Sequence, residues 1–146
     1  MLLYLDNSVL NRPFDDQRQP RIWLETLAFS VVLQLVEAGE VELAKSPVHI
    51  LENNESPLAI RRQWVEHCLA LATVEIELSE TIRDRAKSLA NDGLKPLDAL
   101  HLACAEAAKT DHFLTCDDRL LKRYSGVRNS SVIPALNPSD FILSLK

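Results

Sequence analysis

Lys95-Pro96-Leu97-Asp98-Ala99-Leu100-His101-Leu102-Ala103-Cys104-Ala105-Glu106 is the stretch from which the fold is most readily read. Pro96 suits the first position of a helix, where its missing N–H would have had no partner. From Leu97 to Ala108 the residues are mostly Leu, Ala and Cys. A helix apolar around most of its circumference is a buried helix, and its alanines permit close approach to a neighbour. Asp98 is the only acid of the first turn. A carboxylate on such a helix is uncommon unless something satisfies it. Two readings are open: it complements the helix dipole and the orphan N–H groups, or it joins acids from elsewhere in the chain. Glu106 comes too late to share its site.

Working outward, Leu2-Leu3-Tyr4-Leu5 reads as a short buried strand that ends in Asp6-Asn7-Ser8. Asn11 to Pro20 is polar with two prolines, hence a loop. Leu24, Leu27, Ala28, Val31, Leu35 and Ala38 follow helical spacing, and Gly39 is a fitting stop. Val41-Glu42-Leu43-Ala44 predicts a second strand. Ser46-Pro47 opens a short helix carrying His49 and Glu52, and Ser56-Pro57 repeats the start signal for a helix with Ile60, Trp64, Val65, Cys68 and Leu69 inward. Thr73 to Leu78 alternates, as an edge strand does. Ser79 caps a helix with Ile82, Ala86, Leu89 and Ala90 inward. The buried helix follows, then a fourth strand, His112 to Thr115, ending in Cys116-Asp117-Asp118. Arg119, Lys122 and Arg123 give the next short helix a basic face. Ser131-Val132-Ile133 is a fifth strand stopped by Pro134, and Asn137-Pro138 starts a last helix.

Strands alternating with helices imply parallel pairing and one three-layer α/β domain over residues 1–146. The carboxyl ends of such strands share one rim. Asp6 and Asp117 follow strands directly, Glu52 lies in the helix after the second strand, and Asp98 begins the helix that feeds the fourth. All four can reach one crevice. Asp6 taken alone also reads as a helix N-cap.

The chain has 146 residues, 47% apolar and 25% charged, ordinary for a single soluble domain. Its three glycines leave no room for a Gly-rich nucleotide loop. Cys68, Cys104 and Cys116 form no C-x-x-C pair, so neither a thiolate metal site nor a disulfide framework is expected, and a reducing cytoplasm fits. The first residues lack the features of a signal peptide, and no stretch approaches the ~20 apolar residues that cross a bilayer. The net charge of −5 alone speaks against a nucleic-acid partner.

Crowded carboxylates repel and raise one another's pKa unless cations neutralise them. Oxygen ligands without His/Cys spacing call for a hard cation, Mg²⁺ or Mn²⁺. Two such ions about 4 Å apart activate water and stabilise a leaving oxygen in phosphodiester hydrolysis. They would also bring the charge from −5 to about −1. Arg119, Lys122, Arg123, Arg61 and Arg62 are then candidates to hold phosphates, or form solvated faces.

Leu5-Asp6-Asn7-Ser8-Val9-Leu10, the isolated Glu52, Asp98-Ala99-Leu100-His101-Leu102-Ala103 and Leu114-Thr115-Cys116-Asp117 together resemble the PIN-domain nucleases. The resemblance spans nearly the whole chain in order and rough spacing. It implies a five-stranded parallel sheet in the order three-two-one-four-five and divalent-metal-dependent cleavage of single-stranded RNA. Many small members are toxins of toxin–antitoxin pairs, silenced by a small partner protein. The family's four acids fall on Asp6, Glu52, Asp98 and Asp117, with Glu37, Glu40 and Glu42 as alternatives to Glu52. Asp6, Asp98 and Asp117 would hold the metal. Thr115 matches a hydroxyl position that orients the fourth acid. Asn7 stands where many members have Thr. Asp118 is a candidate to assist or replace Asp117 through water. His101 is either a proton carrier or a hydrogen-bonded structural histidine. The resemblance, with Trp23 and Phe29 outside the main apolar stripe of the first long helix, predicts a homodimer.

Two other functions compete. A catalytically idle PIN-like module that binds RNA or protein has no need of a repulsive acid cluster. A phosphatase with an aspartyl nucleophile would want a second acid two residues after Asp6, where Ser8 stands.

Overall fold

Leu2–Leu5 forms β1, the middle of a sheet whose neighbours are all parallel to it. The computed structural model describes residues 1–127 and 133–145. After β1 come α1 (Asn7–Leu10), a 3₁₀ turn (Arg12–Phe14), α2 (Pro20–Glu37), β2 (Glu42–Lys45), α3 (Pro47–Asn54) and α4 (Ala59–Leu69). The chain continues with β3 (Val74–Glu75), α5 (Glu80–Asn91), α6 (Pro96–Ala107), β4 (His112–Leu114), α7 (Asp118–Ser125), β5 (Ala135–Leu136) and α8 (Pro138–Ser144). The sheet order is β3-β2-β1-β4-β5, as the family resemblance implies.

Alternation along β1 sends side chains to two cores. Tyr4 joins Phe113, Leu102, Ala103 and Leu89 under α5 and α6. Leu3 and Leu5 join Phe29, Val32, Val65 and Phe141 under α2, α4 and α8. Helices therefore cover both faces, and α6 is buried at Ala99, His101, Leu102, Ala103, Cys104 and Ala105. No helix among the described residues is long and apolar enough to cross a membrane.

Four sequence expectations are corrected. In α2 the buried side is Ile22, Glu25, Ala28, Phe29 and Val32. Leu24, Leu27 and Val31 are 53%, 43% and 37% exposed, while Phe29, expected outside, is 1% exposed and lies edge-on to Trp64. This helix is apolar nearly all round, so periodicity cannot choose its face. A polar anchor chooses it: Glu25 takes Nε and Nη2 of Arg12 at 3.0 and 2.8 Å and also pairs with Asn137. In α4 the N-cap position is Leu58, Ser56 does not cap, and Ile60 is 68% exposed. The Ser56 carbonyl instead accepts from Arg62 Nη1 at 2.5 Å. β3 is only two residues long, because the chain leaves the edge after Ile76 N–H reaches the Lys45 carbonyl at 2.9 Å. β5 lies after Pro134, whose carbonyl accepts from Phe113 N–H at 2.9 Å. Of the expected strand, Ser131 and Val132 lie outside the described residues.

The α2 face gives a direct test. Phe29→Ala should cost about 3–5 kcal/mol in urea unfolding, whereas Leu27→Ala, measured at high dilution so that association adds nothing, should stay within about 0.5 kcal/mol of the parent.

Candidate active site

Asp6 follows β1, and its N–H extends the ladder to the Leu114 carbonyl at 2.9 Å. The side chain is 6% exposed. Such a carboxylate needs donors, and two hydroxyls supply them to Oδ2: Ser8 Oγ at 2.7 Å and Thr115 Oγ1 at 2.8 Å. The same hydroxyls accept from the next loop, Ser8 Oγ from Cys116 N–H at 3.0 Å and Thr115 Oγ1 from Asp117 N–H at 3.1 Å. Thr115 thus touches Asp117 through the Asp117 backbone N–H, while its proton goes to Asp6. Asp117 Oδ1 caps α7, accepting from Arg119 N–H at 2.9 Å and Leu120 N–H at 3.2 Å.

Glu52 is placed by α3. Ser46 and His49 form a capping box, with Ser46 N–H donating to His49 Nδ1 at 3.1 Å. His49 Nε2 donates to the Leu5 carbonyl at 2.7 Å, which ties α3 to the end of β1. Burial, and then His101, push the His49 pKa down to about 3, so the ring is neutral. Glu52 sits three residues on, with its side chain 30% exposed. Asn7, 2% exposed, donates to the His49 carbonyl at 3.2 Å and holds α1 against α3. Glu42, by contrast, starts β2, at the amino end of the strand, and accepts from Thr73 Oγ1. Glu37 ends α2 and Glu40 precedes β2, so the three alternative acids lie at the wrong end of the strands.

Asp6, Glu52, Asp98 and Asp117 line one cleft of about 510 Å³ at the carboxyl ends of the strands. Asp98 registers the crowding: desolvation, then the charges of Asp6 and Asp117, raise its pKa to about 6. His101 opposes the rise and Glu52 adds to it. Oxygens of Asp6 and Glu52 and a ring nitrogen of His101 lie within 4.8 Å of one another. A hard divalent cation fits the carboxylates of this cleft, whose mutual repulsion such an ion neutralises.

The remaining candidates divide. Arg61 lines the acid cleft, its Nη2 on the Phe14 carbonyl at 3.2 Å and its guanidinium 5.5 Å over the Phe14 ring. Arg119, Lys122 and Arg123 line a neighbouring cavity of about 440 Å³, beside Asp92 and Gly93 just before α6. Asp118 departs from the expected supporting role: it pairs with both terminal nitrogens of Arg21 on α2, which holds its carboxyl below the usual range. Asp118 lines another cavity with Glu25 and Asn137. Sequence reasoning missed Ser8 as a partner of Asp6; a hydroxyl two residues after a strand-terminal acid was the available signal. It also missed Tyr4, whose hydroxyl lies 2.6 Å from His101 Nδ1, because a Tyr inside an apolar run reads as core.

The family model described as PIN domain matches residues 3–127. A comparison with curated proteins returns no match.

The raised pKa of Asp98 sets a pH dependence. The folded chain holds this proton more tightly than the unfolded chain, so in chelator stability should fall as pH rises from about 4 through about 6. Asp98→Asn removes that loss. Its unfolding free energy should match the parent near pH 4 and exceed it above pH 6, by on the order of 1 kcal/mol after solvent screening, with a correspondingly higher melting temperature read by calorimetry in EDTA.

Proposed function

The chain belongs to the PIN-domain family of metal-dependent nucleases, and we propose that it is an Mg²⁺- or Mn²⁺-dependent endoribonuclease that cuts single-stranded RNA. The observation that carries this reading is the convergence of Asp6, Glu52, Asp98 and Asp117 on one cleft, where burial and then the charges of Asp6 and Asp117 raise the Asp98 pKa. Asp6, Asp98 and Asp117 hold the ion or ions. Glu52 completes the shell or orients the attacking water. A bound divalent cation supplies an acidified water and electrostatic stabilisation of the phosphodiester.

The protein's own groups do the rest. Ser8 and Thr115 hold one oxygen of Asp6, leaving the other for the cleft. Arg61 brings a positive charge to the acid cleft and contacts a phosphate of the bound strand. Arg119, Lys122 and Arg123 carry phosphates of the flanking nucleotides. No protein nucleophile takes part. Cys116, beside Asp117, is buried, and burial pushes its thiol well above the ordinary range, which removes the reactive thiolate.

The biology we favour is that of a cytoplasmic toxin held silent by a small antitoxin protein, a role supported by its family. Self-association as a homodimer is supported by Trp23, Leu24, Leu27 and Val31, exposed together on α2. A catalytically idle binding module is the second reading, and the repulsive acid cluster weighs against it.

Chelator-stripped protein should cut mixed-sequence RNA only after Mn²⁺ or Mg²⁺ is added. Asp6→Asn or Asp98→Asn should lower cleavage at least ~100-fold with the fold retained by circular dichroism. Ca²⁺ should bind with little turnover, since its longer, looser coordination misplaces the water. Cleavage that persists in EDTA, or in Asp98→Asn, contradicts the mechanism. If no RNA is cut, growth arrest on expression that depends on Asp98 separates a selective nuclease from an idle module. Light scattering at tens of micromolar should give a dimer mass, and Leu27→Asp a monomer.

A further inference from the structure

The geometry points to His101 as a positioning residue of the acid cluster: its Nε2–H holds one oxygen of Glu52 against Asp6 and leaves the other to the cleft. The inference rests on the metal-centre reading above and adds the group that keeps Glu52 in place.

His101 is fully buried on α6. Its Nδ1 lies 2.6 Å from Tyr4 Oη, which lies 2.7 Å from Ser46 Oγ, and Ser46 Oγ in turn accepts from Val48 N–H at 3.3 Å. Tyr4 and Ser46 are 0% and 1% exposed. The other ring nitrogen, Nε2, is buried without a hydrogen-bond partner. It lies 3.5 Å from Glu52 Oε1 and 4.0 Å from Asp6 Oδ1.

A lone pair on Nε2 would face two carboxylate oxygens, so Nε2 carries a hydrogen. With no second ring hydrogen, Nδ1 accepts from the Tyr4 hydroxyl and the Ser46 hydroxyl donates to Tyr4 Oη. A buried N–H does not stay unpaired without cost, and 3.5 Å is longer than a formed hydrogen bond. Glu52 is the movable partner: its side chain is partly exposed, while His101 and Asp6 are buried. A small rotation of Glu52 closes the bond. Glu55 lines the same cleft without such a donor, which explains why Glu52 is the acid that works with Asp6.

The test uses the full chain and reads metal affinity and ring tautomer, so it needs no RNA substrate. Long-range ¹⁵N–¹H correlation should show the Nε2–H tautomer of His101 both metal-free and saturated with Mg²⁺. Mn²⁺ titration by calorimetry should show His101→Gln, whose amide N–H takes the place of Nε2–H, within a few-fold of the parent. His101→Asn, too short to reach, and His101→Leu should bind about 10–100-fold more weakly. Equal affinity for the Gln and Asn variants, with both folded, overturns the inference. An Mg²⁺-saturated ring carrying its hydrogen on Nδ1 also overturns it, since His101 would then be a ligand. A parent protein that binds no Mn²⁺ overturns the metal-centre reading and this inference together.

Discussion

The structure depends on holding a buried carboxylate at the end of its central strand. β1 is paired on both sides and covered on both faces, so whatever follows Leu5 emerges at the crevice along the carboxyl ends of the strands. Asp6 is that residue. Two short hydroxyls satisfy one of its oxygens, and both belong to segments that must meet for the cleft to exist: Ser8 lies in the first turn of α1, and Thr115 directly follows β4. Because each hydroxyl also accepts from the backbone of residues 116 and 117, placing Asp6 places Asp117. The parallel register that sets Leu5 beside Leu114 makes this reach possible.

A second layer under the cleft performs the same service for Glu52. His49 bonds the Ser46 N–H and the Leu5 carbonyl, so the start of α3 is fixed to the end of β1. Tyr4 stacks on His49 and Phe113 and turns its hydroxyl toward Ser46 and His101. These aromatic and polar contacts form one block beneath the acids. Tyr4 looks like a core residue and acts as the junction through which α3, β1 and α6 are aligned.

Two acids show how differently the fold treats negative charge. Glu25 is 1% exposed and is surrounded by Arg12, Arg21 and Asn137, so its charge secures α2 against the 3₁₀ turn and α8. Asp98 is less buried, yet other acids face it and its proton affinity rises. The first arrangement stabilises structure. The second leaves Asp98 more stable protonated than charged, through desolvation and the charges of Asp6 and Asp117.

The sequence by itself determined the parallel class and the positions of the candidate acids along the chain, because both rest on local signals, whereas the strand order was implied by the family resemblance. Buried strands, the Ser46-Pro47 and Lys95-Pro96 helix starts and acids at strand ends are all written within a few residues. It also carried Glu52 ahead of Glu37, Glu40 and Glu42, since only Glu52 comes after the second strand. Tertiary structure decided what depends on contacts between distant residues. The face of α2 was illegible because apolar residues surround it and a distant Asn137 helps choose. Asp118 and Asp117 are neighbours in sequence, but the cap of α7 turns one toward the cleft while Arg21, 97 residues away, takes the other. Arg61 and Arg123 are alike as letters, and only the packing of α4 and α7 puts one among the acids and the other beside them. Local patterns fix where charge can emerge from the fold; the partners that close around it set what that charge does.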